Sequence, residues 1–191
     1  IFRGINEESI LPKKFSFWKM LVIVIVSVLI AGSSTVTVQP GPCPNFDGAS
    51  IDFNRMAGKW YEYANTYDQY NGTLGCTNSD VFTLENNIAT LFTTSISKST
   101  GNILAFESEV SKRLPGNELN IVTHIPLIGN HVLHYWALEV IPHSYGIYLF
   151  CRNQGSNHVQ SIDIYTRNPT SSVDIIGRAR QLALKRGLSV P

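Results

Sequence analysis

The sequence predicts an all-β domain, a sandwich or an up-and-down barrel of eight short strands, followed by one α-helix packed on its outside. Three observations carry this. From Gly58 onward, runs of alternating apolar and polar residues recur between Gly, Asn, Ser and Pro turn signals. The connections between these runs are short, as in sandwiches and up-and-down barrels. After residue 170 the apolar spacing changes from that of a strand to that of a helix.

In chain order, the first element is a leader. Met20 opens the run MLVIVIVSVLIAG, with Lys13, Lys14 and Lys19 before it and Ala31, Gly32, Ser33 and Ser34 in and after its end. A basic flank, a short apolar core and small residues describe a secretory signal peptide; a membrane-spanning helix needs ~20 apolar residues. Residues 1–38 are therefore read as leader and signal (core 20–34), and residues 39–191 as the folded domain of a secreted, extracellular protein. Residues 1–19 are expected to be untranslated leader or an alternative start. Pro40, Pro42 and Pro44 surround Cys43, which predicts an extended segment that is neither helix nor strand. "IDFNRMAG" suits one short turn with Phe53 and Met56 as apolar pegs.

Strands are predicted near 58–66, 77–84, 88–96, 102–111, 117–124, 133–141, 145–152 and 159–166. The breaks fall at Asn71-Gly72, Asn86-Asn87, Gly101-Asn102, Pro115-Gly116, Gly129-Asn130, Pro142-His143-Ser144 and Gly155-Ser156-Asn157. In "ILAFESEV", Leu104, Phe106, Ser108 and Val110 alternate with residues that include Glu107 and Glu109, giving one inward and one wet face. If Cys151 bonds to the leader around Cys43, it points outward. Ile147 and Leu149 then point outward with it, and Tyr148 and Phe150 inward. The strands from 133 to 166 are apolar on both faces and so must be covered on both. The helix predicted in "TSSVDIIGRARQLALKRGL" supplies the outer cover. Ser and Thr are placed at its start, Asp174 in its first turn, Val173, Ile176, Ala179 and Ala183 on its apolar face, Lys185 and Arg186 in its last turn, and Gly187 as its stop.

Formal net charge is +1 across 191 residues, so no strong field draws in nucleic acid. Arg178, Arg180, Lys185 and Arg186 read as a solvated helix face. No nucleophile elbow, phosphate loop or Cys-x-x-Cys motif occurs, and no spacing singles out a triad. His131 and His134 are the one close histidine pair. At that spacing a strand sends them to opposite faces, so no shared metal is expected. Asn71-Gly72-Thr73 is a sequon in a predicted loop and makes Asn71 an N-glycosylation candidate.

Gly58-Lys59-Trp60-Tyr61-Glu62 entering the first strand, the preceding "FDGASIDFNRMAG", "YWALEV" with "YGIYLFCR", and the closing "YTRNP" before a helix together resemble lipocalins. The nearest branch is similar to apolipoprotein D and the bilin-binding proteins, and the resemblance runs from Cys43 to Leu188. It implies an eight-stranded antiparallel up-and-down barrel with one open end, an internal ligand cavity and a helix on the flank. Trp60 would lie across the closed end with Arg167 stacked on its indole, and Gly58 would let the chain turn tightly into the strand. In that branch the leader cysteine pairs with one in the seventh strand, which carries over to Cys43 and Cys151. Cys76 would pair with a cysteine in the tail. None follows here, so either the sequence is truncated or Cys76 is free. The chain departs from the family at Val140-Ile141-Pro142, where relatives have Thr-Asp-Tyr.

Strand parity gives Leu104, Phe106, Leu119, Ile121, Tyr135, Ala137, Tyr148 and Phe150 as ligand-binding candidates. Parity from Arg167 also turns Ser161, Asp163 and Tyr165 inward, and an inward Asp163 needs a partner. The functional expectation is a secreted carrier, not an enzyme, that binds a small hydrophobic molecule such as a fatty acid, sterol, retinoid, pheromone or tetrapyrrole, with no cofactor. The alternative is an interaction or protective protein, an antioxidant or inhibitor, whose open-end loops contact a membrane or another protein.

Overall fold

A computed structural model describes residues 38–66, 73–83, 88–125, 127–171 and 173–188. The predicted signal peptide and Asn71 lie outside these residues. Eight long strands follow one another as a meander: β2 (Gly58–Asn65), β3 (Leu74–Thr83), β4 (Ile88–Ser97), β5 (Ile103–Arg113), β6 (Glu118–Ile125), β7 (Gly129–Ile141), β8 (Tyr145–Gln154) and β9 (Asn157–Thr166). Each pairs antiparallel with the next, and β9 returns to pair with β2, so the sheet closes on itself and leaves no long free edge. The barrel reading of the sequence holds and the sandwich does not.

The leader differs from expectation. Val38–Pro40 forms a short strand, β1, paired with Asn157–Val159 of β9. A proline is tolerated there because β1 is an edge strand, where one ladder donor is dispensable. The chain then crosses the end of the barrel near the β5–β6 turn. Gly48 N donates to Gly116 O at 2.9 Å and Ala49 N to Ala137 O at 2.8 Å. Asn117 Nδ2 donates to Gly48 O at 2.9 Å. The predicted turn is one helical turn, α1 (Phe53–Met56), capped by Asp52, with Phe53 and Met56 buried as pegs.

Two apolar clusters lie on the two faces of β7–β9. The inner one holds Tyr135, Ala137 and Phe150 together with Trp60, Leu119 and Leu133. The outer one holds Trp136, Leu138, Ile147, Leu149, Ile162 and Ile164 against the C-terminal helix α2 (Ile175–Lys185). The expected disulfide joins Cys43 to Cys151 on this outer face. Cys76 is exposed and free.

The helix face is rotated from the one read in the sequence. Ile175, Ala179, Leu182 and Ala183 are buried, whereas Val173 and Ile176 are exposed. For Val173 the reason is the cap. Asp174, expected inside the first turn, is itself the N-cap and accepts from Gly177 N at 2.9 Å. Val173 therefore precedes the helix. A Cβ on Gly177 would lie 2.1 Å from Asp174 Oδ2, so this interior glycine makes room for the cap. A register shift between Ala137 and Glu139 turns Glu139 to the helix side, where Arg178 pairs with it and Tyr145 OH donates to it at 2.8 Å. The Arg178 hydrogen bond holds the Glu139 carboxyl below its ordinary value. The basic run is thus partly a tether between helix and barrel.

Candidate functional site: the barrel interior

The closed end is built around Trp60. Its ring is 3% exposed, and its indole N–H donates to Met56 O at 2.8 Å. The Arg167 guanidinium carbon lies 4.0 Å from the ring centroid. Arg167 Nε donates to Pro142 O at 2.9 Å and Nη1 to Lys59 O at 3.0 Å. One side chain thus ties the β7–β8 turn to the start of β2, and the stack adds about 0.5–2 kcal/mol. Within Val140-Ile141-Pro142, the triplet that departs from the pattern the sequence otherwise resembles, the accepting group is the Pro142 backbone carbonyl. Gly58 has φ +93°, and a Cβ there would meet Arg167 Nη1 at 3.3 Å, so both conformation and proximity favour glycine. On the far side of α1, Lys112 Nζ donates to Ile51 O at 2.6 Å.

Above this floor the barrel is hollow. A cavity of about 440 Å3 rises from Ile51, Phe53, Met56 and Trp60 towards Leu74, Ile125 and His131 at the open end. Of the eight candidates, Phe106, Leu119, Ile121, Tyr135 and Tyr148 stand on its wall. Three do not. Leu104 has inward parity opposite the wall residue Ser95, near the β4–β5 turn, but it is 37% exposed and is not part of the wall. Phe150 is buried behind Tyr135, with ring centroids 5.3 Å apart, and it is Tyr135 that reaches the cavity. Ala137 is fully buried where the leader crosses, and its short side chain does not reach the wall.

The wall has two chemical halves. On β3–β6, hydroxyls face the cavity in cross-strand pairs: Thr77 with Ser95 at 3.0 Å, Ser79 with Thr93 at 2.8 Å, and Ser108 with Thr123 at 2.6 Å. These groups satisfy one another, so the half is polar without demanding a polar guest. The other half, on β2, β9 and β8, carries acids and tyrosines. Asp163 is 7% exposed and bonded to Ser161 and Tyr135, the partners that its inward position required. Burial pushes its carboxyl up to about 7, and the charge of Glu62 adds to the rise, against the two hydrogen bonds that lower it. Burial likewise pushes the Tyr148 phenol up.

The sequence reading missed Glu62 and Asn65, both on the wall. Glu62 follows Trp60 by two residues, so strand parity could have found it. Asn65 could not be found that way. Its inward position depends on a register shift between Glu62 and Ala64. Asn65 Nδ2 donates to Glu62 Oε1 at 2.6 Å. His131 lies on the wall, whereas His134 bonds Glu118 at 2.6 Å. Among the described residues no group of three or more His, Cys, Asp or Glu is placed to hold a metal.

By sequence, no protein-family model and no curated protein matches the chain. By structure it is similar to lobster apocrustacyanin A1, with 19% identity, a TM-score of 0.61, and 80% of this chain aligned to 86% of that one. Insecticyanin from the tobacco hornworm Manduca sexta gives 15% identity and a TM-score of 0.66 over 80% of this chain and 83% of that one. The amine binding protein of Rhodnius prolixus, in its tryptamine complex, gives 12% identity and a TM-score of 0.61 over 78% and 83%. Identities this low speak to architecture alone. With its closed eight-stranded meander, stacked indole and flanking helix, the chain has the lipocalin fold.

Proposed function

We propose that this chain is a secreted member of the lipocalin family that binds and carries one small, largely apolar molecule in its barrel, and does not transform it. The observation that carries the reading is the cavity of about 440 Å3 above a sealed floor, walled by apolar and aromatic side chains with a few polar groups. That is the composition of a small-molecule site. Enclosing about 300 Å2 of apolar ligand surface at ~25 cal/mol per Å2 gives roughly 7 kcal/mol before the costs of association. The disulfide suits an oxidising, extracellular setting. Its pairing of leader with barrel wall supports placement near the apolipoprotein D and bilin-binding branch. A similar fold in Rhodnius prolixus binds tryptamine, so the architecture accommodates a guest of this size.

A second reading has its own observation. Leu127 and Ile128 in the β6–β7 turn, and Ile103 at the start of β5, are exposed at the open end. They suit a contact with a membrane or a protein partner at the mouth. The test of the first reading is a mass spectrum of organic extract from natively purified protein, paired with a fluorescent-probe titration. One compound near one per chain, displaced by the probe, is expected. No saturable binding by any apolar probe would contradict it.

A further inference from the structure

Resting on the carrier reading, we infer that the guest is a cation: an apolar, preferably aromatic body bearing a protonated amine, seated with its nitrogen against Asp163 and Glu62. The argument starts from what the wall lacks. Among its described residues no lysine or arginine faces the cavity, so a carboxylate head group would find no fixed counter-charge inside. What the wall has is two acids on neighbouring strands. Cross-strand register sets Glu62 opposite Tyr165, and Asp163, two residues before Tyr165 on β9, opposite Tyr148 on β8. The result is a small lattice of alternating carboxyls and phenols across β2, β9 and β8. All four side chains line the cavity, and Tyr148 and Tyr165 meet edge to face with centroids 6.0 Å apart.

This arrangement is built. The shift between Glu62 and Ala64 brings both Glu62 and Asn65 to the inner wall, and Asn65 then fixes the Glu62 carboxylate at 2.6 Å. Asp163 is held by Ser161 on its own strand and by Tyr135 on β7. Among the described residues the other charged or titratable groups of the surroundings are His131 at the mouth, Arg167, whose charge is felt by Tyr148 beneath the floor, and Lys112, which is held on Ile51 O beside Phe53. An ammonium against these carboxyls would form charge-assisted hydrogen bonds, one of them with the buried Asp163, and the phenol faces would add cation–π attraction. A neutral sterol-like guest would leave the two acids facing apolar surface. An anionic guest would be repelled.

The test uses one aromatic body with three heads: naphthylethylamine, naphthylethanol and naphthylpropanoate, titrated calorimetrically into the full chain. The amine is expected to bind at least about tenfold tighter than the alcohol at pH 8, and the carboxylate weakest. Asp163→Asn and Glu62→Gln should each lower amine affinity about tenfold and narrow its margin over the alcohol, and a thermal melt of each variant verifies that it is folded. Should Asp163→Asn fail to fold, the pH profile of the unaltered chain decides. The amine needs ionised Asp163, so its affinity should fall about tenfold between pH 8 and pH 6 as that carboxyl, at about 7, takes up its proton. The alcohol should show no such fall. Equal binding of amine and alcohol, tightest binding of the carboxylate, or an amine affinity flat in pH would overturn the cation while leaving the carrier reading intact. If neither these three nor any neutral apolar probe binds, the carrier reading fails and the inference with it.

Discussion

Leu149 and Phe150 are neighbours on β8, and each faces a different core. Leu149 points outward into a seam closed by helix α2, where Ile147, Ile162, Ile164, Ala179 and Ala183 are all buried. Phe150 points inward and packs on Tyr135, and beyond Tyr135 the barrel opens into a cavity. The same sheet therefore has one solid face and one partly hollow face. The difference separates two jobs. The outer core supplies stability, and the inner one is solid only at its floor, where Trp60 and Arg167 close it. The inner face also retains a buried carboxyl, a group that costs stability in an unliganded protein.

The largest expected effect tests the solid side. Leu149→Ala should cost about 3 kcal/mol by urea denaturation, because a fully buried side chain leaves a gap its neighbours fill only in part. A cost below about 1 kcal/mol would mean that the helix seam is loose. Next, Arg167→Met should cost about 1–2 kcal/mol, since it removes the stack on Trp60 and three hydrogen bonds to backbone carbonyls. A neutral outcome would show that the floor is held by the leader crossing alone.

Asp163→Asn should act in the opposite direction. The Asp163 carboxyl sits at about 7 in the folded chain against an ordinary 3.8, so the folded state holds the extra proton between those values. Its neutral form is favoured below that window, and stability is lost as pH rises through about 7. The substitution should therefore stabilise the unliganded chain by about 1–3 kcal/mol at pH 8.5 and by almost nothing at pH 4. Thermal melts at the two pH values check it, and a destabilisation at pH 8.5 would contradict it. The smallest expected effect is Ile121→Ala on the cavity wall, less than about 1 kcal/mol, because that side chain already borders empty space. A loss as large as that of Leu149→Ala would erase the contrast between the two faces.

The sequence was most legible where one rule acted alone. Turn residues marked all eight barrel strands, strands apolar on both faces announced a cover on both, and the parity set by an outward Cys151 placed Ile147 and Leu149 outside and Tyr148 inside. Parity failed where a second coordinate mattered. It sets which face a side chain takes and not how far it is enclosed, so Leu104, opposite the wall residue Ser95, stays 37% exposed near the β4–β5 turn. It also carries no sign of a bulge, which is why Asn65 was invisible while Glu62 was within reach. The helix face was misread at Val173 because Asp174 can be a cap or a first-turn residue, and at Ile176 because Ile175 and Ile176 both stand at helical spacing from Ala179 and Ala183. The indole beneath the guanidinium came from a resemblance, since two residues over a hundred positions apart share no local pattern.

The hollow itself is tested most directly by filling it. Ser108 is buried on the cavity wall, bonded only across the strand to Thr123, and faces the space a guest would take. A titration of the chain and of Ser108→Trp with naphthylethanol, each also melted to verify the fold, compares an open interior with a plugged one. One-to-one saturable binding by the unaltered chain, lost in a folded Ser108→Trp, is the result expected. Binding that survives the plug would place the guest elsewhere and contradict a barrel built around an internal ligand.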